Sequence, residues 1–358
     1  MLKNCFYISM MFTFMVSNAQ NKVIPFNSSN IYYEGRILYR INAAELSWPG
    51  TSATIIFEGK GISAILKDID TADYYNVVVD DKCMFKFHTD TLKHSYILAS
   101  DLPGGKHKVQ LFKRTEWDKG KTLFYGFETS KSTNILPAPA AKKRKIEFFG
   151  NSITCGYAIE DTSGNDSWYG YYENNYLSYA ALTARHYDAQ YYCTSKSGIG
   201  IIVSWFSLIM PEMYDRLDPT DSTSKWDFSK YIPDLVVIDL FQNDSWLVEN
   251  PENEQFKNRF GTKKPSDSFI ISAYNNFVTS IRSKYPNANI ICALGSMDAT
   301  REGSPWPGYI QKAVEQLHDP KLFTYFFAYK NTPGHPKVYE QKAMSDSLID
   351  FIDKNIKW

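Results

Sequence analysis

Five short apolar runs in the second half of the chain, residues 146–149, 190–193, 235–241, 290–294 and 322–326, constrain the fold more than any other feature. Each is dominated by aliphatic and aromatic side chains, with almost no polar face to turn to water. Strands of this kind are covered on both sides. Segments of helical character alternate with them at 176–187, 269–284, 309–317 and 337–356. Strand–helix alternation with buried strands specifies an α/β domain with a parallel sheet and flanking helices. In such a sheet the reactive groups gather beyond the carboxyl ends of the strands.

The first half has a different character. Short strand-like runs at 53–57, 74–79, 83–87, 94–98, 108–112 and 122–127 are separated by turn chemistry such as Trp48-Pro49-Gly50, Asp80-Asp81-Lys82 and Pro103-Gly104-Gly105. Regular short strands without a long helix point to a β-sandwich of the jelly-roll kind. Residues 136–145 (LPAPAAKKRK) combine proline, alanine and a basic run, the composition of a semi-rigid linker. A length of 358 residues fits two domains at ~150 residues each. The expected division is a leader at 1–19, a β domain at 20–135, a linker at 136–145 and the α/β domain at 146–358.

The leader rests on Lys3 followed by an apolar run over 5–16 and then Ser17-Asn18-Ala19, a small-x-small cleavage pattern. That run is shorter than the ~20 residues of a membrane span, so export to a secreted or periplasmic location is expected, with no membrane span. Cys83, Cys155, Cys193 and Cys292 remain after its removal. They are too widely spaced for a disulfide scaffold and lack C-x-x-C metal spacing, although one bridge is compatible with an oxidising compartment. Lys+Arg and Asp+Glu are both 39, so no basic excess exists to bind a phosphate backbone, and nucleic acid is not expected as a partner.

Four strand ends carry side chains of chemical interest. The first ends in Gly150-Asn151-Ser152-Ile153-Thr154, which presents Ser152 at the top of the sheet; the same serine would also serve as a helix N-cap. The lipase pattern G-x-S-x-G does not fit, because Thr154 stands where its second glycine would be. The second strand leads into Ser195-Lys196-Ser197-Gly198-Ile199-Gly200, a turn whose backbone N–H can approach a substrate oxygen. Asn243, after the third strand, can aim its amide at the same point or close an Asx-turn. Of the 6 histidines, His88, His94 and His107 fall in the β domain and His186 and His318 at helix ends. His335, in Thr332-Pro333-Gly334-His335-Pro336 between the last strand and the last helix, is placed to act as the base of Ser152.

Taken in order, Ser152, Gly198, Asn243 and His335 resemble the four blocks of the SGNH (GDSL-like) hydrolase superfamily. The extended forms NSITCGY at 151–157 and SGIGI at 197–201, behind a β domain, resemble carbohydrate esterase family 2 more narrowly. That resemblance implies a jelly roll followed by an SGNH domain, and removal of O-acetyl groups from plant polysaccharides such as xylan or glucomannan. Ser152 would be the nucleophile and His335 the base. The Ser152 and Gly198 N–H groups and the Asn243 amide would form the oxyanion hole, with Trp246 and Trp205 stacking on sugar rings and no metal or organic cofactor. The pattern departs from the superfamily in three places: Asn151 for the usual Asp, Phe241-Gln242 near the usual glycine, and Thr332 where an Asp normally orients the histidine. Thr332 carries no charge, so the expectation is a Ser–His dyad, with the Asn331 or Pro333 carbonyl orienting His335. Two other outcomes stay open: an esterase of differently acylated glycans, and a non-catalytic carbohydrate-binding protein on the same scaffold.

Overall fold

The computed structural model describes residues 21–358, so the leader expected at 1–19 lies outside the described residues. Two antiparallel sheets form the β domain. One runs in the order Ile37–Tyr39, Ala44–Leu46, Thr122–Ser130, Ile62–Lys67, His94–Ala99, with Asn21–Pro25 also paired to Thr122–Ser130. The other runs Asn134–Ile135, Ser52–Glu58, Lys106–Lys113, Tyr74–Val79, Lys82–His88, with Ile31–Glu34 beside Ser52–Glu58. Their facing residues, among them Leu46, Ile55, Phe57, Leu66, Val77, Leu111, Phe124 and Phe127, make one buried core. Alternation drives this packing: along Lys106–Lys113 the side chains His107, Val109 and Leu111 are buried, while Lys106, Lys108 and Gln110 are less so.

The expected strands of the first half are present with ends shifted by a residue or a few. Others, such as Ile37–Tyr39 and Ala44–Leu46, are too short to show a period of two in the sequence. Ile62–Lys67 alternates in burial, but Ser63 and Ala64 give it a weak apolar signal.

The α/β domain holds five parallel strands, Arg144–Gly150, Ala189–Ser195, Leu235–Asp239, Asn289–Leu294 and Leu322–Phe326. Their spatial order is second, first, third, fourth, fifth. The first strand starts at Arg144, inside the expected linker, because Arg144 and Lys145 pair with Ala189 and Gln190. Helices Tyr179–His186 and Val338–Asn355 cover one face of the sheet, and Asp267–Lys284 with Trp306–Leu317 cover the other. Reversal of strand order between the first and third strands opens a crevice at their carboxyl ends, the usual ligand position in open α/β sheets.

The two domains share their interior. Trp48 and Phe112 of the β domain are buried within the two cores that flank the parallel sheet. Arg36 of the β domain reaches the first parallel strand, where it meets Glu147 at 2.8 Å with both side chains sequestered from water. Its Nη1 donates to the Tyr214 and Arg216 carbonyls. Glu147 also accepts hydrogen bonds from Thr194 and Tyr285. Cys83, Cys155, Cys193 and Cys292 are all free thiols. No helix among the described residues is long and apolar enough to cross a membrane.

These buried charges generate two predictions. Glu147→Ala strands the Arg36 guanidinium in the interior and should cost about 3–5 kcal/mol in urea unfolding, whereas Arg36→Met combined with Glu147→Leu should cost far less. Asp239, fully buried without a well-formed hydrogen bond, has its carboxyl raised to about 7 by burial, only partly offset by the nearby Tyr179 hydroxyl and Gly295 N–H. A folded-state value raised above that of the unfolded chain means stability complete below pH ~4 and lost as pH rises towards 7. Asp239→Asn should therefore gain on the wild type by ~1 kcal/mol or more per pH unit across that window; a difference independent of pH would count against this account.

Candidate active site

The turn after the first parallel strand is shaped by close approach. A side chain at Gly150 would put its Cβ 2.1 Å from Thr154 Oγ1, so only glycine fits. Asn151 caps the short helix Ser152–Cys155, its side-chain oxygen accepting from the Ile153 N–H at 3.0 Å. Its amide nitrogen donates to the Asp239 carbonyl at 3.3 Å, which an aspartate carboxylate could not do. That second bond accounts for Asn in place of the superfamily's usual Asp. Ser152 is the first residue of the helix, where no preceding turn can satisfy its N–H.

His335 stands over this serine, with Nε2 2.8 Å from Ser152 Oγ. Its other ring nitrogen does not face a backbone carbonyl. Nδ1 lies 2.7 Å from Asp166 Oδ2, and the same oxygen accepts from the His335 N–H at 2.7 Å. The expectation of Asn331 or Pro333 as orienter is thus corrected: a carboxylate occupies the position, and the Pro333 and Thr332 carbonyls instead accept from Lys330. Thr332 donates its hydroxyl to Glu340 at the start of the last helix. Burial opposes ionisation of Asp166, but hydrogen bonds from His335 and Lys337 outweigh it and hold the carboxyl well below the usual range. Gly334 makes this approach feasible, since at φ +69° a Cβ there would sit 2.6 Å from Asp166 Oδ1.

Asp166 comes from the loop following the short helix, 169 residues before His335. The superfamily's usual position, three residues before the histidine, gives no hint of it. Its own surroundings, Ser163-Gly164-Asn165-Asp166-Ser167, read as plain turn chemistry. Asp161 secures that loop by accepting from the Ser163 and Ser167 N–H groups.

Gly198 and Asn243 are brought together at the ends of the second and third strands. Asn243 donates its amide to the Ile199 carbonyl at 2.9 Å and accepts from the Trp205 indole N–H at 3.1 Å, leaving one amide hydrogen uncommitted. Asp244 accepts from the N–H groups of Ile201, Ile202 and Val203, which ties the same turn to the third strand. Burial raises its carboxyl to about 6 despite those bonds. Phe241, near the superfamily's glycine, takes φ +82°, a conformation costly for a side chain by ~1–3 kcal/mol. Its ring is fully buried against Tyr274 and Trp306, which offsets that strain.

The β domain also reaches this turn. Glu116 accepts from the N–H of Ser197 at 2.5 Å and from its hydroxyl. Glu173 in turn accepts from the Glu116 N–H at 2.6 Å. Burial, then the proximity of Glu116, pushes the Glu173 carboxyl well up. Of the two tryptophans singled out, Trp205 is 49% exposed at the turn, whereas Trp246 packs partly into the core with its indole on Asp298. Trp168 and Tyr169, which no sequence motif marks, are both exposed and stack at 4.8 Å two and three residues beyond Asp166. Among the described residues no cluster of His, Cys, Asp or Glu is arranged to hold a metal ion.

Comparison with known proteins agrees with this geometry. Residues 33–139 match the carbohydrate esterase 2 N-terminal domain, and residues 148–322 match the GDSL-like lipase/acylhydrolase family. The cellulase/esterase CelE of Acetivibrio thermocellus is 30% identical over 344 residues, spanning 93% of this chain and 40% of that protein. The chain therefore covers less than half of CelE. An acetylxylan esterase/glucomannan deacetylase of Cellvibrio japonicus is 26% identical over 322 residues, 87% of this chain and 84% of that one. A family two carbohydrate esterase from Clostridium thermocellum, solved in complex with cellohexaose, shares 31% identity and a TM-score of 0.80 over 90% of this chain and 98% of its own. Both modules, in the same order and over nearly the whole length, make the chain a member of carbohydrate esterase family 2 and a serine-dependent carboxylic ester hydrolase.

Proposed function

We propose that this protein removes O-acetyl groups from polysaccharides of the xylan or glucomannan type, outside the cell if residues 1–19 act as the expected leader. The observation that carries this reading is the hydrogen-bonded line Ser152–His335–Asp166. Ser152 Oγ attacks the acetyl carbonyl as His335 Nε2 takes its proton. The oxyanion is held by the N–H groups of Ser152 and Gly198 and by the free amide hydrogen of Asn243. On collapse His335 returns the proton to the departing sugar oxygen, and water then releases acetate from the acetyl-serine by the same route. Asp166 keeps the imidazole in the tautomer that presents Nε2 to the serine and stabilises the imidazolium. The mechanism is accordingly a triad rather than the dyad expected from Thr332. Trp205 beside Asn243, with Trp168 and Tyr169 past Asp166, offers flat faces for sugar rings. The relatives named as acetylxylan esterase and glucomannan deacetylase support the substrate class.

Hydrolysis of an aryl acetate and of acetylated xylan tests the reading. Ser152→Ala and His335→Ala should each lower kcat by about a thousandfold or more. Asp166→Asn should lower it by ~10³–10⁴-fold with little change in KM, since the wrong tautomer is then favoured. Titration of Asp166 itself removes activity only in strong acid, because its carboxyl is held below the usual range and stays ionised above it. Wild type no faster than Ser152→Ala on either ester, with affinity for the glycan retained, would make this a binding protein instead.

Glu116 acts through the Ser197 turn and is a positioning residue. Glu116→Ala should lower kcat by ~10-fold or more while leaving KM nearly unchanged, since loss of one oxyanion donor outright costs ~10²–10³-fold. Glu116→Asp should recover part of it. A change in thermal stability with kcat intact would reduce Glu116 to a structural role.

A further inference from the structure

A cavity of about 320 Å³ lies between the β domain, the linker and the helix Tyr179–His186. Its wall includes Ala189, at the start of the second parallel strand, whereas the oxyanion turn follows Ser195 at the other end of that strand. Six steps of ~3.3 Å put the cavity ~20 Å from the catalytic end. Four of its charged residues neutralise one another: Glu34 pairs with Lys142 at 2.9 Å, and Asp81 with Lys108 at 2.6 Å.

Arg185 has no such partner among the described residues. Its guanidinium lies 3.8 Å from the centre of the Tyr176 ring, and Nη2 donates to the Tyr176 carbonyl at 2.6 Å. Nη1 is closed off by the protein without a hydrogen-bond partner, while the side chain as a whole is half-buried along the cavity wall. The groups acting on Arg185 electrostatically are the Tyr176, Tyr191 and Cys83 side chains, none of them a carboxylate. Asp188, on the same wall, acts on Tyr32 and Glu34 instead. Arginine keeps its proton however far it is buried, and a half-buried guanidinium with no carboxylate paired to it can take an anion as partner. An anion inside the cavity would supply that partner, since Arg185 lines it. A carboxylate matches the fork geometry of a guanidinium. Tyr176 and Phe112 supply flat walls, and the volume sits at the lower end of small-molecule pockets, ~300–1,000 Å³. That exceeds what acetate alone would fill.

We propose that this interdomain cavity is a second ligand site, binding a carboxylated sugar with its carboxylate on Arg185 and its ring against Tyr176 and Phe112. The carboxylate is set by Arg185; the sugar ring rests on the glycan reading above.

Isothermal titration of the full chain with glucuronate, glucose, acetate and benzoate tests it. Glucuronate should bind, and glucose, which lacks the carboxylate, should bind at least ~10-fold more weakly. Arg185→Met should weaken glucuronate binding by at least ~10-fold, and so should Ala184→Met, which fills the cavity while keeping the arginine. Both variants should hydrolyse an aryl acetate at the wild-type rate, which shows that they are folded and separates failure of this site from failure of the esterase reading. Glucuronate binding unchanged in both variants, or absent in the wild type, would overturn the proposal. Binding of acetate or benzoate but not glucuronate would overturn its assignment to a sugar.

Discussion

A buried ion pair lies at the centre of the contact between the two domains. Arg36 leaves the β domain, enters the ring of Trp48, Phe149, Trp226 and Phe228, and ends on Glu147 in the first strand of the parallel sheet. Neither charge can be left alone in that interior. Their pairing, satisfied further by the Tyr214 and Arg216 carbonyls and by Thr194 and Tyr285, sets where one domain sits on the other. Trp48 and Phe112 then extend the contact into both flanking cores.

The consequence is felt at the carboxyl end of the neighbouring strand, Ala189–Ser195. A β domain docked in this position delivers Glu116 to Ser197, immediately before Gly198, and adds Trp117 beside Lys196. The turn that carries Gly198 is therefore held from three sides: by Asn243 through Ile199, by Asp244 through the following N–H groups, and by Glu116 from the other domain. Preorganised donors are effective because they need not reorganise as charge develops on the substrate. A hydrolase domain stripped of its β domain would lose one of those three supports.

How much of this was legible in the sequence varied with range. The parallel sheet could be read from apolar runs such as Leu235–Asp239, because a strand covered on both faces must be apolar throughout. Ser152, Gly198 and Asn243 stand a few residues past strand ends and His335 in the loop after the last strand, and that placement could be read because the strand ends of a parallel sheet lie along one edge. Asp166 could not. It approaches His335 across a loop whose composition signals only turns, and nothing local to either residue announces the contact. Thr332, local to the histidine, suggested that no carboxylate stands beside it, whereas Asp166 does.

What the chain by itself determined was the order of elements, the apolar faces and the places of the four candidate residues along them, since these depend on spacing along the backbone. Tertiary structure decided the meeting of Asp166 with His335, the reach of Glu116 to Ser197 and the greater exposure of Trp205 than of Trp246. Each of these is a meeting of residues far apart in sequence. Such meetings depend on how whole elements dock, and docking is set by packing and buried charge summed over both domains rather than by any local pattern.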